Sequence, residues 1–419
     1  ELKCIVKLSS LGITPYRVYN TESDLIYVGY FEDGDWHADS FDTFDTADTE
    51  MLKLTLLKLE YSPKHIQVDY YEPYMIMKLV FNRKDFLEAI NIGGCYAGNR
   101  KVLPILECVK ITVKNNKCTI LSYDDMNAIK TSCNIISSDE DIVFCINKAD
   151  IESYVNLLRD ETFEMEVEVI GEEANKEKKM KATIYTDTGT MEFPVEDAKW
   201  YPTLQQESDA ETFTMPAQTL GYWIVKGNPF LKEDELQPVF ECLHLFIQEN
   251  NIHAFAFDSI KMYHDFCETE SNLKTILSIP RNSFKGIREA LKKENEVTIK
   301  NGKNNIIIKC ENSMLLIRKM EMKVPNFFQL LQYKDRFTVR VDKRTILLCL
   351  LKAINIFEKP ITGNISLSFT EEGITISATN WGGNKNYTEK IYAEGGQAIC
   401  QNFNAIQMRT AIDAISTDN

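Results

Sequence analysis

Apolar and polar residues alternate along LECVKITVKNNKCTILSYDD (Leu106–Asp125), break at Asn115-Asn116, and alternate again. The same pattern recurs in VFECLHLFIQENNIHAFAFDS (Val239–Ser259), around Glu249-Asn250-Asn251, and in GNISLSFTEEGITISATNW (Gly363–Trp381), around Glu371-Glu372-Gly373. Period-two alternation on both sides of a polar turn predicts a β-hairpin each time. A helical pattern precedes each hairpin: Asn82–Gly93, Pro216–Gly227 and Asp342–Phe357. A second helical pattern follows each: Asn147–Asp160, Pro280–Glu294 and Asn404–Ser416. After the first two units come further strands, Lys181–Val195 and Glu296–Met320. Asp124 and Asp258 are 134 residues apart, and Asp258 and Asn380 are 122 apart. Repeats this long are duplicated domains, because solenoid units run only about 20–50 residues. The fold class expected is α+β: three copies of a module with two helices packed on antiparallel sheet.

Composition narrows the function. The chain has 419 residues, with 44% hydrophobic and 26% charged, as in ordinary globular proteins. Its longest apolar run, Thr345–Phe357, is broken by Lys352 and reads as a core helix, so no membrane partner is expected. The 11 cysteines show no CxxC pair, and no His/Cys ligand cluster accompanies them. That usage points to reduced thiols in a cytosol, with no metal and no cofactor. The net charge of −15 argues against loose nucleic-acid binding over the whole surface. The positive charge is nevertheless uneven. Arg281, Lys285, Arg288 and Lys292 recur at i, i+4, i+7 and i+11, one face of a helix beside an apolar stripe of Phe284, Ile287 and Leu291. Such a face is often simply solvated; it also suits phosphate contacts that read no sequence.

Catalytic constellations are thin. The five histidines form no HExxH motif. GGCYAG (Gly93–Gly98) ends a helix where a phosphate loop would start one. Tyr123-Asp124-Asp125 resembles a metal-binding acidic pair, yet its positional equivalents are Phe257-Asp258-Ser259 and Thr379-Asn380-Trp381, so Asp124 reads as a strand-end residue. Phe31–Glu50 holds eight acids and no Lys or Arg, lacks EF-hand spacing, and reads as a solvated linker.

Three modules in this order resemble the bacterial DNA polymerase III beta sliding clamp. The resemblance is carried by MKLVFNRKDFLEAI (Met77–Ile90), by RKVLPILECVKITV (Arg100–Val113) with a basic residue before a Leu-Pro-Ile-Leu turn, by FAFDSIKMY (Phe255–Tyr263), where Ala256 and Asp258 match, and by FNAIQMRTAIDAIS (Phe403–Ser416). It spans about Met77 to Asn419. What it implies is a non-catalytic homodimeric ring around duplex DNA that tethers the polymerase. The clamp loader and other replication proteins would bind through short linear peptides.

The resemblance also assigns residues. Arg100 matches a DNA-contacting arginine. Lys101, Lys148, Lys343, Arg344 and Arg409, at or near helices, are weaker candidates beside the Arg281–Lys292 face. A partner-peptide pocket would use Phe257, Ile260, Lys261 and Met262 with Pro325 and Leu330. Phe257 replaces a threonine of the family, Ser259 a glycine and Ile260 a histidine, which implies a different peptide preference. The dimer interface would use Met191 and Phe193 on an edge strand, with Ile354 and Ile356 as partners.

The expected organisation is strands at 1–31, an acidic linker and connecting segment at 32–76, and clamp-type domains at 77–206, 207–333 and 334–419. The third module ends after its second helix, whereas the first two continue into strands. The strands of Glu1–Phe31 parallel Glu296–Met320 element by element, so a circular permutation is expected, with Tyr27, Val28 and Tyr30 near the partner pocket. An unrelated N-terminal domain or a truncated C-terminus is the alternative. Two other functions stay open: a nucleic-acid-processing enzyme using acids such as Asp124 and Asp125, and a three-domain adaptor with no DNA role.

Overall fold

The computed structural model describes residues 16–20, 25–32, 35–41, 74–98, 103–170, 179–186, 189–204, 210–234, 236–248, 250–271, 273–332, 338–359 and 362–417. They belong to two compact units, Glu1–Glu72 and Pro73–Asn419.

In the N-terminal unit, β1 (Tyr16–Asn20), β2 (Leu25–Glu32) and β3 (Asp35–Phe41) form an antiparallel sheet in that order. Tyr27 and Val28 pair with Val18 and Arg17, and Tyr30 pairs with His37. The part of the expected strands at 1–31 that precedes Tyr16 lies outside the described residues. β3 corrects the linker expected over Phe31–Glu50. In Asp-Trp-His-Ala-Asp-Ser-Phe the acids occupy positions of one parity, which a strand accommodates on one face.

The second unit repeats one plan. Module 1 opens with β4 (Tyr74–Asn82) and α1 (Arg83–Gly93). Then come β5 (Cys108–Lys114), β6 (Lys117–Tyr123), β7 (Asn127–Asn134), the two-residue β8 (Ser137–Ser138) and β9 (Ile142–Asn147). It closes with α2 (Lys148–Leu157), β10 (Thr162–Ile170), β11 (Lys179–Thr186) and β12 (Gly189–Glu196). Module 2 follows the same order. Its elements are β13 (Glu211–Pro216), α3 (Ala217–Gly227), β14 (Cys242–Gln248), β15 (Asn251–Phe257), β16 (Met262–Glu268) and β17 (Thr275–Pro280), then α4 (Phe284–Leu291), β18 (Glu296–Asn301), β19 (Asn305–Lys309) and β20 (Ser313–Arg318). In module 3 are α5 (Lys343–Ile354), β21 (Asn364–Thr370), β22 (Gly373–Thr379), β23 (Asn386–Tyr392), β24 (Ile399–Asn404) and α6 (Ala405–Ala414).

Helix starts follow from local chemistry. Asn82, Asn147, Asp342 and Asn404 each accept backbone N–H bonds from the first turn of the helix they precede. A capping side chain there satisfies donors the helix itself leaves unpaired. Each hydrophobic core then forms between a helix pair and the inner faces of the strands. Module 1 buries Phe86, Ile90, Ile151 and Val155 against Leu79, Ile111, Ile120 and Met165. Module 2 buries Leu220, Trp223, Ile287 and Leu291 against Leu245, Ala254 and Ile299. In module 3, Ile346, Leu350 and Ala405 pack on Leu367, Ile374 and Ile376.

One sheet crosses the boundary between the first two modules. β20 pairs antiparallel with β7, Ser313 opposite Thr131 through Ile317 opposite Asn127, completing a 13-stranded sheet. The other strands of module 2 form a sheet in the order β16-β15-β14-β17, and module 3 has β23-β22-β21-β24.

Candidate nucleic-acid face and partner cleft

The Asp or Asn that recurs at each hairpin end caps a turn. Asp124 Oδ1 accepts from the backbone N–H of Met126 (3.1 Å) and Asn127 (2.7 Å). Asp258 Oδ1 accepts from Ile260 (3.0 Å) and Lys261 (2.9 Å), and Asn380 Oδ1 from Lys385 (2.9 Å). A short side chain bonding forward to the backbone stabilises the reversal. The left-handed residue that follows is Asp125 in module 1 and Ser259 in module 2, both with φ of 77°. Among the described residues, no group of three or more His, Cys, Asp or Glu is placed to hold a metal ion.

The basic face is a surface in the structure. Arg281, Lys285, Arg288 and Lys292 are exposed, while Phe284, Gly286, Ile287, Ala290 and Leu291 are buried. The helix is shorter than the pattern predicts. Arg281 sits in a preceding 3-10 turn with Nε donating to Asn228 Oδ1 at 2.9 Å, and Lys292 is the C-cap, paired with Glu289. Among the described residues, Lys285 and Arg288 form no ion pair.

Lys285 and Lys292 face a cleft of about 960 Å³ between modules 1 and 2, together with Lys117 and Lys148. Lys148 begins α2 and is paired with Glu152. The cleft also takes in Glu88, Glu289 and Glu294, so its net field is mixed. Arg344 and Arg409 are exposed on α5 and α6. Lys343 has a structural role, donating to the carbonyls of Asp413 (3.3 Å) and Ile415 (2.5 Å) at the end of α6, where cations are favoured. Arg100 and Lys101 lie outside the described residues.

The same helix-to-helix junction occurs twice. At the first, α1 of module 1 meets α4 of module 2. The Tyr96 hydroxyl, fully buried, donates to Ser283 O at 2.8 Å, and Lys293 Nζ lies 2.5 Å from Glu88 Oε1. At the second, α3 of module 2 meets α6 of module 3: Lys226 Nζ donates to Asp413 O at 2.9 Å, and Ala414 packs on the core of module 2. In both, the first helix of one module meets the second helix of the next.

The expected partner pocket gathers in part. Phe257 and Met262 pack, half-buried, into a cluster with Phe246, Phe255 and Phe327, joined by Val324 and Phe328. Phe257 contacts Phe327 at 5.8 Å and Phe240 at 5.6 Å between ring centroids. Ile260, Pro325 and Leu330 are exposed, Ile260 by 70%. Lys261 is turned to the loop instead: its ammonium lies 2.5 Å from Asp258 Oδ2 and 5.7 Å from the centre of the Phe230 ring. The aromatics supplying most of the cluster were not singled out from sequence. For Phe327 and Phe328 the signal lay in Pro-Asn-Phe-Phe (Pro325–Phe328), where Asn326 caps the 3-10 turn Phe327–Leu331.

No protein-family profile matches the chain. Curated relatives do. The beta sliding clamp of Staphylococcus aureus (strain Mu50 / ATCC 700699) is 23% identical over 354 residues, covering 82% of this chain and 91% of the relative. That of Lactococcus lactis subsp. lactis (strain IL1403) is 23% identical over 277 residues, covering 63% and 70%. Among solved structures, the DNA polymerase sliding clamp from Bacillus subtilis superposes with a TM-score of 0.73 at 16% identity, covering 82% of this chain and 91% of that one. The DNA polymerase III beta subunit from Thermotoga maritima gives 0.72 at 15%, with the same coverage. The fold is that of a beta sliding clamp.

Within the sliding-clamp fold, two residues expected at the dimer interface are core residues of their own modules. Phe193 is 2% exposed and packs in the core of module 1, 5.6 Å from the Tyr154 ring centroid. Ile354 is 8% exposed in the core of module 3, and Ile356 packs half-buried beside it. Alternation puts Met191, Phe193 and Val195 on one face of β12, and that face is exposed at Met191 but covered by the core at Phe193 and Val195. Met191 is exposed. β12 pairs with β11 along its length but with β9 only at Val195 and Glu196, so among the described strands residues 189–194 present an open edge. β23 is likewise the edge of its sheet.

The three histidines of module 2 are packing elements. His244 is fully buried between Ser278 Oγ and Val239 O, each at 2.8 Å, and burial pulls its pKa down to about 4. His253 and His264 bond to each other at 3.2 Å. Among the described residues, no helix is long and apolar enough to cross a membrane.

Proposed function

We infer that this chain is a DNA sliding clamp, a non-catalytic ring that encircles duplex DNA and tethers a polymerase. The observation that carries this reading is the repeated junction. Each junction joins the first helix of one module to the second helix of the next, and the first also joins β7 to β20. Carried through three modules, that rule leaves α5 and β23 open at one end and α2 and β12 open at the other. Two copies joined by the same rule close on themselves, β12 of one pairing with β23 of the other. Such a closed interface uses up the open edges, which otherwise invite indiscriminate pairing.

The exposed Lys285 and Arg288, with Arg100, Lys101, Lys148, Arg281, Lys292, Arg344 and Arg409 in support, would meet phosphates. A ring needs only weak, sequence-independent contacts, since its hold on DNA is topological. An acidic protein with one basic helix face suits such a ring, because repulsion elsewhere discourages binding on the outside. The polymerase, the clamp loader and other cytosolic replication proteins would dock short peptides at the aromatic cluster of Phe257, Met262 and Phe328, with Ile260, Pro325 and Leu330 exposed to receive apolar anchors. The reading is tested by retention on a DNA circle that disappears when the circle is cut.

A further inference from the structure

Ten cysteines fall among the described residues, all reduced, and two of them face each other. Cys118 on β6 and Cys133 on β7 are directly opposed in the antiparallel register, so their side chains leave the sheet on the same side, next to each other. Directly opposed residues have Cα atoms about 4.5–5.5 Å apart. That lies inside the range of about 4.4–6.8 Å that a disulfide spans. The two differ in access. Cys118 is fully buried in the core of module 1, whereas Cys133 is half-buried and lines the cleft between modules 1 and 2.

We propose that Cys118 and Cys133 form a reversible thiol–disulfide site, entered through the inter-module cleft by a low-molecular-weight disulfide. The attacking group is the Cys133 thiolate, which bonds to one sulfur of the small disulfide and releases the other half as a thiolate. The Cys118 sulfur then attacks Cys133 Sγ, its proton passing to the small thiolate that departs. The second small thiolate leaves, so two protein thiols are oxidised and one small disulfide is reduced to two thiols. The bond ties β6 to β7 beside the cleft that carries Lys117, Lys148 and Lys285.

The same cleft holds an internal control. Cys95 also lines it, but the residue is 3% exposed, its thiol donates to Asn91 O at 3.1 Å, and burial pushes its pKa up to about 11. Cys133 is shifted the other way, its thiolate favoured by the Cys118 thiol beside it. The thiolate is the nucleophile, so the two should react at different rates. Cys400, exposed on β24, would also react, which a Cys400→Ser background removes. The site does not depend on the clamp reading.

The experiment treats the Cys400→Ser chain with excess oxidised glutathione and follows intact mass and peptide maps. The expected product has lost two hydrogens, maps to a Cys118–Cys133 link, and returns to the starting mass with a reductant. Iodoacetamide labelling of the untreated chain should modify Cys133 at least about tenfold faster than Cys95. In Cys133→Ser the loss of two hydrogens disappears. A link mapping to another pair, no link in the folded chain, or equal labelling of Cys95 and Cys133 overturns the proposal.

Discussion

Gly286 is the residue where intrinsic helix preference and the structure predict opposite outcomes. It lies inside α4, where glycine is about 1 kcal/mol worse than alanine, so Gly286→Ala should stabilise an isolated helix. In the folded protein its added Cβ would stand 2.3 Å from Tyr96 Oη and 2.5 Å from Cζ. Tyr96 cannot easily yield: its hydroxyl is bonded to Ser283 O, its backbone N–H donates to Ser122 Oγ at 3.1 Å, and its ring is fully buried. Overpacking costs about 1–3 kcal/mol. Displacing the hydroxyl adds about 1 kcal/mol for the lost bond. Against the propensity gain, the net expectation is a loss of about 2 kcal/mol. The assay is the urea midpoint, with hydrogen exchange at residues 95–97 and 283–287 to localise the effect. In a Tyr96→Ala background the obstacle is gone, and Gly286→Ala should become neutral or stabilising. A raised midpoint for Gly286→Ala in the wild-type background would refute the junction argument.

Three further outcomes follow from the sites. The folded-state pKa of His244 is depressed from 6.5 to about 4, so the unfolded chain binds the proton first and stability falls as pH drops through that window. The contribution is about 3 kcal/mol at neutral pH, and His244→Gln should flatten the stability slope between about pH 6.5 and 4 by up to one proton; an unchanged slope would contradict the assignment. Lys285→Glu with Arg288→Glu should leave the fold intact, because both are exposed, and reduce loading onto DNA circles by at least about tenfold at low salt; normal loading would remove α4 from the DNA face. Met262→Asp with Leu330→Asp should weaken binding of polymerase-derived peptides by about 2 kcal/mol or more, read by fluorescence anisotropy, with unchanged affinity placing the cleft elsewhere.

Local chemistry made much of this fold legible. The starts of α1, α2, α5 and α6 were readable because the side chains of Asn82, Asn147, Asp342 and Asn404 close the first turn themselves. The three hairpins were readable from alternation. Helix ends were less so: α2 stops at Leu157 and α5 at Ile354, short of the periodic pattern, since no comparable signal marks the last turn. β16, β17, β23 and β24 escaped because only part of each is buried. In β24, Cys400 through Phe403 are all exposed, so no apolar period is written there. The pairing of β20 with β7 and the fit of Tyr96 against Gly286 join positions more than a hundred residues apart, where periodicity carries no information. For the candidate site, sequence found the basic face of α4 but not the ion pair of Lys292 with Glu289 or the capping role of Lys343, since both depend on what packs nearby. It singled out Phe257 and Met262 but not the Phe246, Phe255 and Phe327 they pack against, whose alternation reads equally well as ordinary core.

The central claim is topological, and one measurement addresses it directly. The full chain is loaded by a compatible clamp loader onto a nicked DNA circle, washed at high salt, and the circle is then cut once by a restriction enzyme. Phosphate contacts weaken steeply with salt, but a linked ring does not come off a closed circle. The account predicts retention through the wash and rapid release after cutting. Loss of the protein from the intact circle at high salt, or its persistence on the linear product, would contradict encirclement.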